Sequence, residues 1–277
     1  MTEQSAADRG GNRAYAVSLA RGMAGALIFA FPLVMTMEMW SIGFSVTPGR
    51  LLLFLVLGLG VLAGLAYYSG FEPAADWLDA LLDALGAFAI GLVGSGLLLW
   101  LFGIVTPELG WRAAVGMVAL QAVPAGMGAV AARRQFGARD GEAREDRAGY
   151  PAQLFLMVAG ALFLAFNVAP TEEVLLIALR MQPWPLVGLM GLSLLLLHLL
   201  VYTIGFAGQE QRPEGAGAWR TFCAYSLAGY GLALAVSFYA LWTFGRADLA
   251  SLPMMAMATV VLGFPAALGA AIARLVV

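Results

Sequence analysis

Eight stretches of mostly apolar residues, each about 20 residues or longer, dominate this chain. They lie at about 17–43, 50–70, 80–103, 112–132, 152–179, 184–206, 221–244 and 252–273. A helix of that length is long enough to cross the hydrocarbon core of a bilayer, roughly 30 Å thick. In lipid, every backbone N–H and C=O must find its partner inside the protein. The stretches are therefore expected to be α-helices, and the fold an all-α polytopic membrane protein. Composition points the same way. Of 277 residues, 61% are hydrophobic and only 12% charged, whereas soluble domains carry roughly 25% charged residues. That scarcity argues against a water-soluble enzyme. The net charge of -2 leaves no basic excess for nucleic-acid phosphates.

Several chemistries are missing altogether. All 15 basic residues are Arg, so Schiff-base lysines and the phosphate-binding lysine of a P-loop are excluded. A single Cys, Cys223, and a single His, His198, exclude disulfide frameworks and metal sites built from several His or Cys. Any chemistry falls to carboxylates and backbone. The expectation is a protein that is not an enzyme and has no cofactor beyond a bound cation such as Ca²⁺ or Na⁺.

The chain divides into a polar tail (1–16), a first four-helix membrane repeat (17–132), a charged linker (133–150) and a second four-helix repeat (151–277). The first apolar run follows a polar tail and is too long for a signal-peptide core, so the tail reads as a cytoplasmic extension. Orientation follows from the arginines. With the N-terminus inside, Arg9, Arg13, Arg21, the five linker arginines, Arg212, Arg220 and Arg274 face the cytoplasm. Arg50, Arg112, Arg180 and Arg246 face the other side. Eleven against four satisfies the positive-inside rule with both termini cytoplasmic.

Internal similarity supports the division. A shift of 135 residues places Gly25, Ala26, Leu27, Ala30, Phe31, Thr36 and Glu38 on Gly160, Ala161, Leu162, Ala165, Phe166, Thr171 and Glu173. It also places Tyr67, Gly70 and Phe71 on Tyr202, Gly205 and Phe206. A shift of 142 matches Trp77, Trp100, Phe102 and Gly103 to Trp219, Trp242, Phe244 and Gly245. At 141, Pro124, Ala125, Gly128, Ala129, Ala132 and Arg133 meet Pro265, Ala266, Gly269, Ala270, Ala273 and Arg274. Shared Leu and Ala follow from composition alone; paired Trp, Tyr, Pro and Thr-Xaa-Glu do not. With four helices each, the two repeats are expected to run in the same direction across the membrane.

Acidic residues inside a span cost roughly 2.5–3.5 kcal/mol at a helix centre and mark function by default. Glu38 and Glu173 recur at one register, about seven residues beyond the centres of the first and fifth spans, or roughly 10 Å. Thr36 and Thr171 precede them by two residues, and Pro32 and Pro170 are expected to free backbone carbonyls nearby. Carboxylates, hydroxyls and carbonyls are hard ligands suited to Ca²⁺, Mg²⁺, Na⁺ or protons. This set reads as an outer cation-binding or selectivity site. The blander reading puts the glutamates at the headgroup level, beside Trp40 and Trp184. Glu172 has Met37 as its counterpart and reads as peripheral.

Secondary polar positions are His198, whose counterpart is Ala63, Asp79 and Asp83 at the cytoplasmic start of the third span, and Asn167, which takes the place of Pro32. His198 is read first as a partner of a neighbouring helix and second as a proton relay. The aspartates suit a helix N-terminus in any case.

Ala169-Pro170-Thr171-Glu172-Glu173 resembles the Glu-Glu-Xaa-Xaa-Xaa-Arg motif of CAAX-type intramembrane proteases. Ile177 stands at the Arg position, however, and one His cannot supply that family's two His motifs. A rhomboid-like Gly-Xaa-Ser-Gly fails at Val93, ahead of Gly94, Ser95 and Gly96. In contrast, Arg21-Gly22, Gly25-Ala26-Leu27, Phe31-Pro32-Leu33 and Thr36-Met37-Glu38-Met39-Trp40 resemble a bacterial integral-membrane family known as a domain of unknown function. The resemblance extends over most of the chain. It implies a multi-pass protein of the bacterial inner membrane and supplies no activity.

The sequence thus supports ion transport, with a cation channel ahead of a cation exchanger using the same glutamates. A non-conducting scaffold or regulatory subunit is the alternative from another class. The partners expected are the lipid bilayer, an inorganic cation and no nucleic acid. A homodimer or higher homo-oligomer, and a pore through the monomer's own axis, both stay open.

Overall fold

The computed structural model describes residues 2–69, 77–136, 149–202, 218–248 and 250–276. The described residues contain no strand, and eight of their helices are long and apolar enough to cross a membrane. These eight correspond one to one to the eight expected spans. Most of the charged linker and the Gly70–Phe71 and Gly205–Phe206 matches lie outside the described residues.

The helices are α1 (Thr2–Val34), α2 (Met37–Ser45), α3 (Pro48–Ser69), α4 (Trp77–Leu101) and α5 (Trp111–Phe136), then α6 (Tyr150–Val168), α7 (Glu173–Arg180) and α8 (Pro183–Tyr202). A short α9 (Ala218–Thr221) runs through a π-helical turn (Phe222–Leu227) into α10 (Ala228–Thr243), and α11 (Leu252–Val276) follows. Two compact units result. The first comprises Met1–Phe44 with Leu51–Glu142, and the second Ser45–Arg50 with Ala143–Val277.

One expectation about span ends is corrected. The first and fifth apolar helices do not continue to 43 and 179; they stop at Val34 and Val168 and are each followed by a short separate helix, α2 or α7. The cause is local. Pro32 supplies no N–H to its own turn, and the Thr36 hydroxyl donates to the Pro32 carbonyl (2.7 Å) while the Thr36 N–H closes a tighter turn on Leu33 (3.1 Å). In the second unit Pro170 interrupts the chain, and Thr171 donates both its N–H (3.1 Å) and its hydroxyl (2.9 Å) to the Val168 carbonyl. Leu33 and Val168 are themselves related by the 135-residue shift.

In the first unit α1 and α4 pack against α5. Gly25 on α1 lies so close to α5 that a Cβ there would overlap the Gly128 carbonyl and the Ala132 methyl. In the second unit α6 meets α11 in the same way, with Gly160 against the Gly269 carbonyl and Ala273. Without a strong hydrophobic drive between helices in lipid, close backbone approach through small residues is what gives such pairs their van der Waals contact.

The loops after α4 and α10 also match. Gly103 and Gly245 have φ of 70° and 75°, the left-handed region that glycine occupies without penalty. In each loop the glycine N–H reaches the second carbonyl before the cap (Trp100, 3.0 Å; Trp242, 3.2 Å). The next N–H reaches one further back (Ile104 to Leu99, 2.9 Å; Arg246 to Leu241, 2.9 Å). This is a Schellman cap, which satisfies carbonyls that would otherwise end the helix unpaired.

Candidate functional site

Glu38 sits in the first turn of α2, four residues past the end of the first candidate span, and is half-buried. Its backbone carbonyl accepts a bond from the Ser41 hydroxyl (2.8 Å). The helix start is braced by Trp40, whose indole N–H donates to the Val34 carbonyl at the end of α1 (2.7 Å), and by Met39, which is buried. Thr36 spends its hydroxyl on Pro32 rather than on Glu38.

Glu173 opens α7, five residues past the end of the fifth candidate span, and is exposed. Its carboxylate is held below the ordinary Glu range, first by a hydrogen bond from its own backbone N–H, with the positive charge of Arg246 adding to it. The N-terminal end of a helix favours negative charge for the same reason. Both glutamates therefore lie beyond the apolar spans, at the start of a short helix, and not among the turns of a continuous spanning helix.

Arg246 is the residue that sequence reasoning did not single out. It follows the Gly245 cap, donates through Nη2 to the Pro170 carbonyl, and places Nη1 3.8 Å from the Glu172 carboxylate. Glu172, expected to be peripheral, is exposed and forms one side of this cluster. The available signal was topological, since the positive-inside assignment already put Arg246 on the same side as the glutamates. The corresponding position in the first unit is Ile104, an apolar residue packed against the core. The two glutamates thus differ in electrostatic surroundings despite their shared register.

The other sequence-selected residues are dispersed. Asp79 and Asp83 are exposed on the first turns of α4. Asn167 donates its amide N–H to the Phe163 carbonyl (2.7 Å) and leaves its Oδ1 buried without a partner. His198 on α8 shares a hydrogen bond with Ser226 of the π-helical turn (Nδ1 to Oγ, 2.8 Å), with the Phe222 ring edge-on at 5.4 Å. Among the described residues no group of three or more His, Cys, Asp or Glu is placed to hold a metal ion.

A further polar cluster ties Arg50 to the loop after α10, all within the second unit. Arg50 makes a two-pronged pair with Asp248 (Nη1 to Oδ2, 2.7 Å; Nη2 to Oδ1, 2.5 Å) and lies 4.9 Å from the centre of the Trp242 ring. The guanidinium holds the Asp248 carboxyl below its ordinary range.

No match to the chain was found among curated proteins or among solved structures. A family model described as "Putative integral membrane protein (DUF2391)" matches residues 18–277, from the first apolar helix to the last residue. That family's function is unknown, and the fold above is that of a multi-pass membrane protein with several apolar helices. The chain belongs to this integral-membrane family.

Proposed function

We propose that this protein carries a small cation across the bacterial cytoplasmic membrane, as a channel built from two copies of a four-span unit, with both termini cytoplasmic. The observation that carries the reading is the recurrence of one local arrangement. In each unit a span ends, a Thr N–H closes on the third carbonyl back, and a Glu two residues later opens a short helix. Duplication is supported independently by the equivalent glycine contacts and the equivalent Schellman caps. In each unit the glutamate and the threonine two residues before it, Glu38 with Thr36 and Glu173 with Thr171, supply oxygen ligands suited to Na⁺ or Ca²⁺, and Glu172 stands beside the second pair. Arg246 makes the pair unequal. It partly neutralises the Glu172–Glu173 end, so Glu38 is the stronger cation ligand. No enzymatic step belongs to this reading.

An exchanger using the same glutamates is the nearest variant. A non-conducting scaffold is favoured by a different observation, the exposure of Glu172 and Glu173 beside a basic partner. Purified protein in proteoliposomes separates the three. Cation flux that falls in Glu38→Gln, falls less in Glu173→Gln and is lost in the double variant supports the channel. Saturating, counter-ion-coupled flux identifies the exchanger. Absence of flux of any cation in the wild type leaves the scaffold.

A further inference from the structure

A serine inside a spanning helix commonly spends its hydroxyl proton on a carbonyl of its own helix one turn back. Ser193 on α8 and Ser237 on α10 do so, donating to Leu189 and Ala233 (2.7 Å each). Ser226 is directed elsewhere. It is fully buried in the π-helical turn, and its Oγ lies 2.8 Å from Nδ1 of His198, on α8 and 28 residues earlier. Leu197, beside the histidine, packs next to Gly229 just past the turn, where an added Cβ would lie 3.8 Å from its Cδ1. π-Helical turns are rare and frequently occur at functional sites.

The first unit carries neither partner. Under the shift of 135 residues His198 falls on Ala63, and under the shift of 142 Ser226 falls on Ala84. Both alanines are buried, and Ala84 lies in the uninterrupted α-helix α4. A unit of this kind therefore holds together without the pair, whose two members occur together and with the π-helical turn. The pair also sits near the ends of its spans. His198 is three residues before the end of the sixth candidate span (Pro183–Val201), about 4.5 Å along the axis. Ser226 is four residues into the seventh (Phe222–Thr243), about 6 Å. Exposed Trp219, a residue type of the headgroup level, stacks on Phe222 (ring centroids 5.8 Å apart), and Phe222 meets the imidazole at 5.4 Å.

α8 packs on the π-helical turn, α10 and α11. None of these elements carries a carboxylate. Their titratable groups besides His198 are Tyr202 on α8 itself, Cys223 and Tyr225 in the turn, and Tyr230 and Tyr239 on α10. The charged group they carry is Arg274 on α11, which lies on the Tyr225 ring (5.0 Å) and on Gln153; Arg220 on α9 is exposed. The histidine is thus the group on this seam whose chemistry suits proton uptake in about the pH 5–8 range. We propose that His198 and Ser226 form a proton-binding site, and that uptake of a proton resets the π-helical turn. In the neutral state Nε2 carries the imidazole proton, and the buried serine hydroxyl donates to Nδ1. A proton entering at Nδ1 makes both ring nitrogens donors. Nδ1–H then donates to Oγ, and the serine hydroxyl turns to a carbonyl of its own helix, as in Ser193 and Ser237. One proton is gained, no other group loses one, and the hydrogen bond reverses direction. With both termini inside, that proton comes from the cytoplasm. Only this choice of side rests on the topology of the channel reading.

The test uses the full chain, without a histidine tag, in lipid nanodiscs open to buffer on both sides. His198 is the single His of the chain and Cys223, inside the turn, its single Cys. Nitrogen-15 NMR of labelled histidine therefore reads one imidazole, and a fluorine label on Cys223 reads the turn. At about pH 8 the expected imidazole is neutral, with its proton on Nε2, and by about pH 5 both nitrogens are protonated. The fluorine resonance is expected to shift with the same midpoint. That shift is lost in His198→Ala and in Ser226→Ala, which place in the second unit the residues that stand at Ala63 and Ala84 in the first. An imidazole that stays neutral throughout, or a neutral form with its proton on Nδ1, overturns the proposal. So does a fluorine resonance that does not move in the wild type, or that moves equally in His198→Ala.

Discussion

Gly160 on α6 and Gly269 on α11 face each other so closely that a Cβ on either would collide with the other's carbonyl oxygen. Gly25 and Gly128 hold the same relationship between α1 and α5. Each pair brings two backbones together within its unit, and no side chain can be added there without separating the helices.

Substitution at these positions tests that geometry. Gly160→Ala and Gly25→Ala are each expected to destabilise by about 1–3 kcal/mol, the usual cost of overpacking. The readout is thermal unfolding in detergent. Gly60→Ala is the control, because a Cβ on Gly60 meets nothing within 4 Å and Ala is the better helix former. Equal stability of Gly60→Ala and Gly160→Ala would contradict the close approach.

The left-handed glycines give a second test, this time of the conformation alone. A Cβ on Gly103 meets nothing within 4 Å, so strain at φ 70° is the only penalty. Gly103→Ala is expected to lose about 1 kcal/mol from that strain. Gly245→Ala, at φ 75°, should lose a similar amount. A clear stabilisation of either variant would show that the loop does not use a Schellman cap.

The pair between Arg50 and Asp248 carries a third. Its carboxylate is half exposed, so the ion pair is screened and worth roughly 0.5–1 kcal/mol. Stacking of Arg50 on Trp242 adds a comparable amount. Arg50→Lys loses the two-pronged geometry and most of the stacking, and is expected to unfold at lower temperature than the wild type. Asp248→Asn should cost less than Arg50→Ala, because the guanidinium keeps the Trp242 ring. Equal costs would locate the stabilisation in the ion pair alone.

Acid stability follows from Glu173 and Asp248. Both carboxyls titrate below their ordinary values in the folded protein. The unfolded chain therefore takes up protons first as pH falls, and the stabilisation is full above the ordinary carboxylate range and lost on descent through the folded values. Arg246→Gln removes one of the causes at Glu173 and raises its value toward the ordinary one. The expected outcome is an acid-unfolding midpoint at higher pH than in the wild type, smaller in size at high salt. No change at low salt would remove Arg246 from the electrostatics of Glu173.

How much was legible in advance depends on the range of the interaction. The apolar runs located the eight helices among the described residues that are long enough to cross a membrane, because length and hydrophobicity are local properties of the chain. The ends of the first and fifth runs were read too far, to 43 and 179. The residues beyond Val34 and Val168 stay apolar enough to look continuous, and the interruption is made by hydrogen bonds at Pro32, Thr36 and Thr171. Glu38 and Glu173 were found through their recurrence, yet their position beyond the spans came only with that break.

Sequence alone determined that this is a polytopic helical membrane protein, because a chain with so little charge cannot present a water-compatible surface and its backbone must pair with itself in lipid. It also brings Gly25 onto Gly160 and Glu38 onto Glu173 under one 135-residue shift. Tertiary structure alone decided that Arg246 reaches Pro170 and Glu172 across 76 and 74 residues. Those relationships depend on which helix faces pack together, and the pattern of apolar residues does not specify them in a span that is hydrophobic all round.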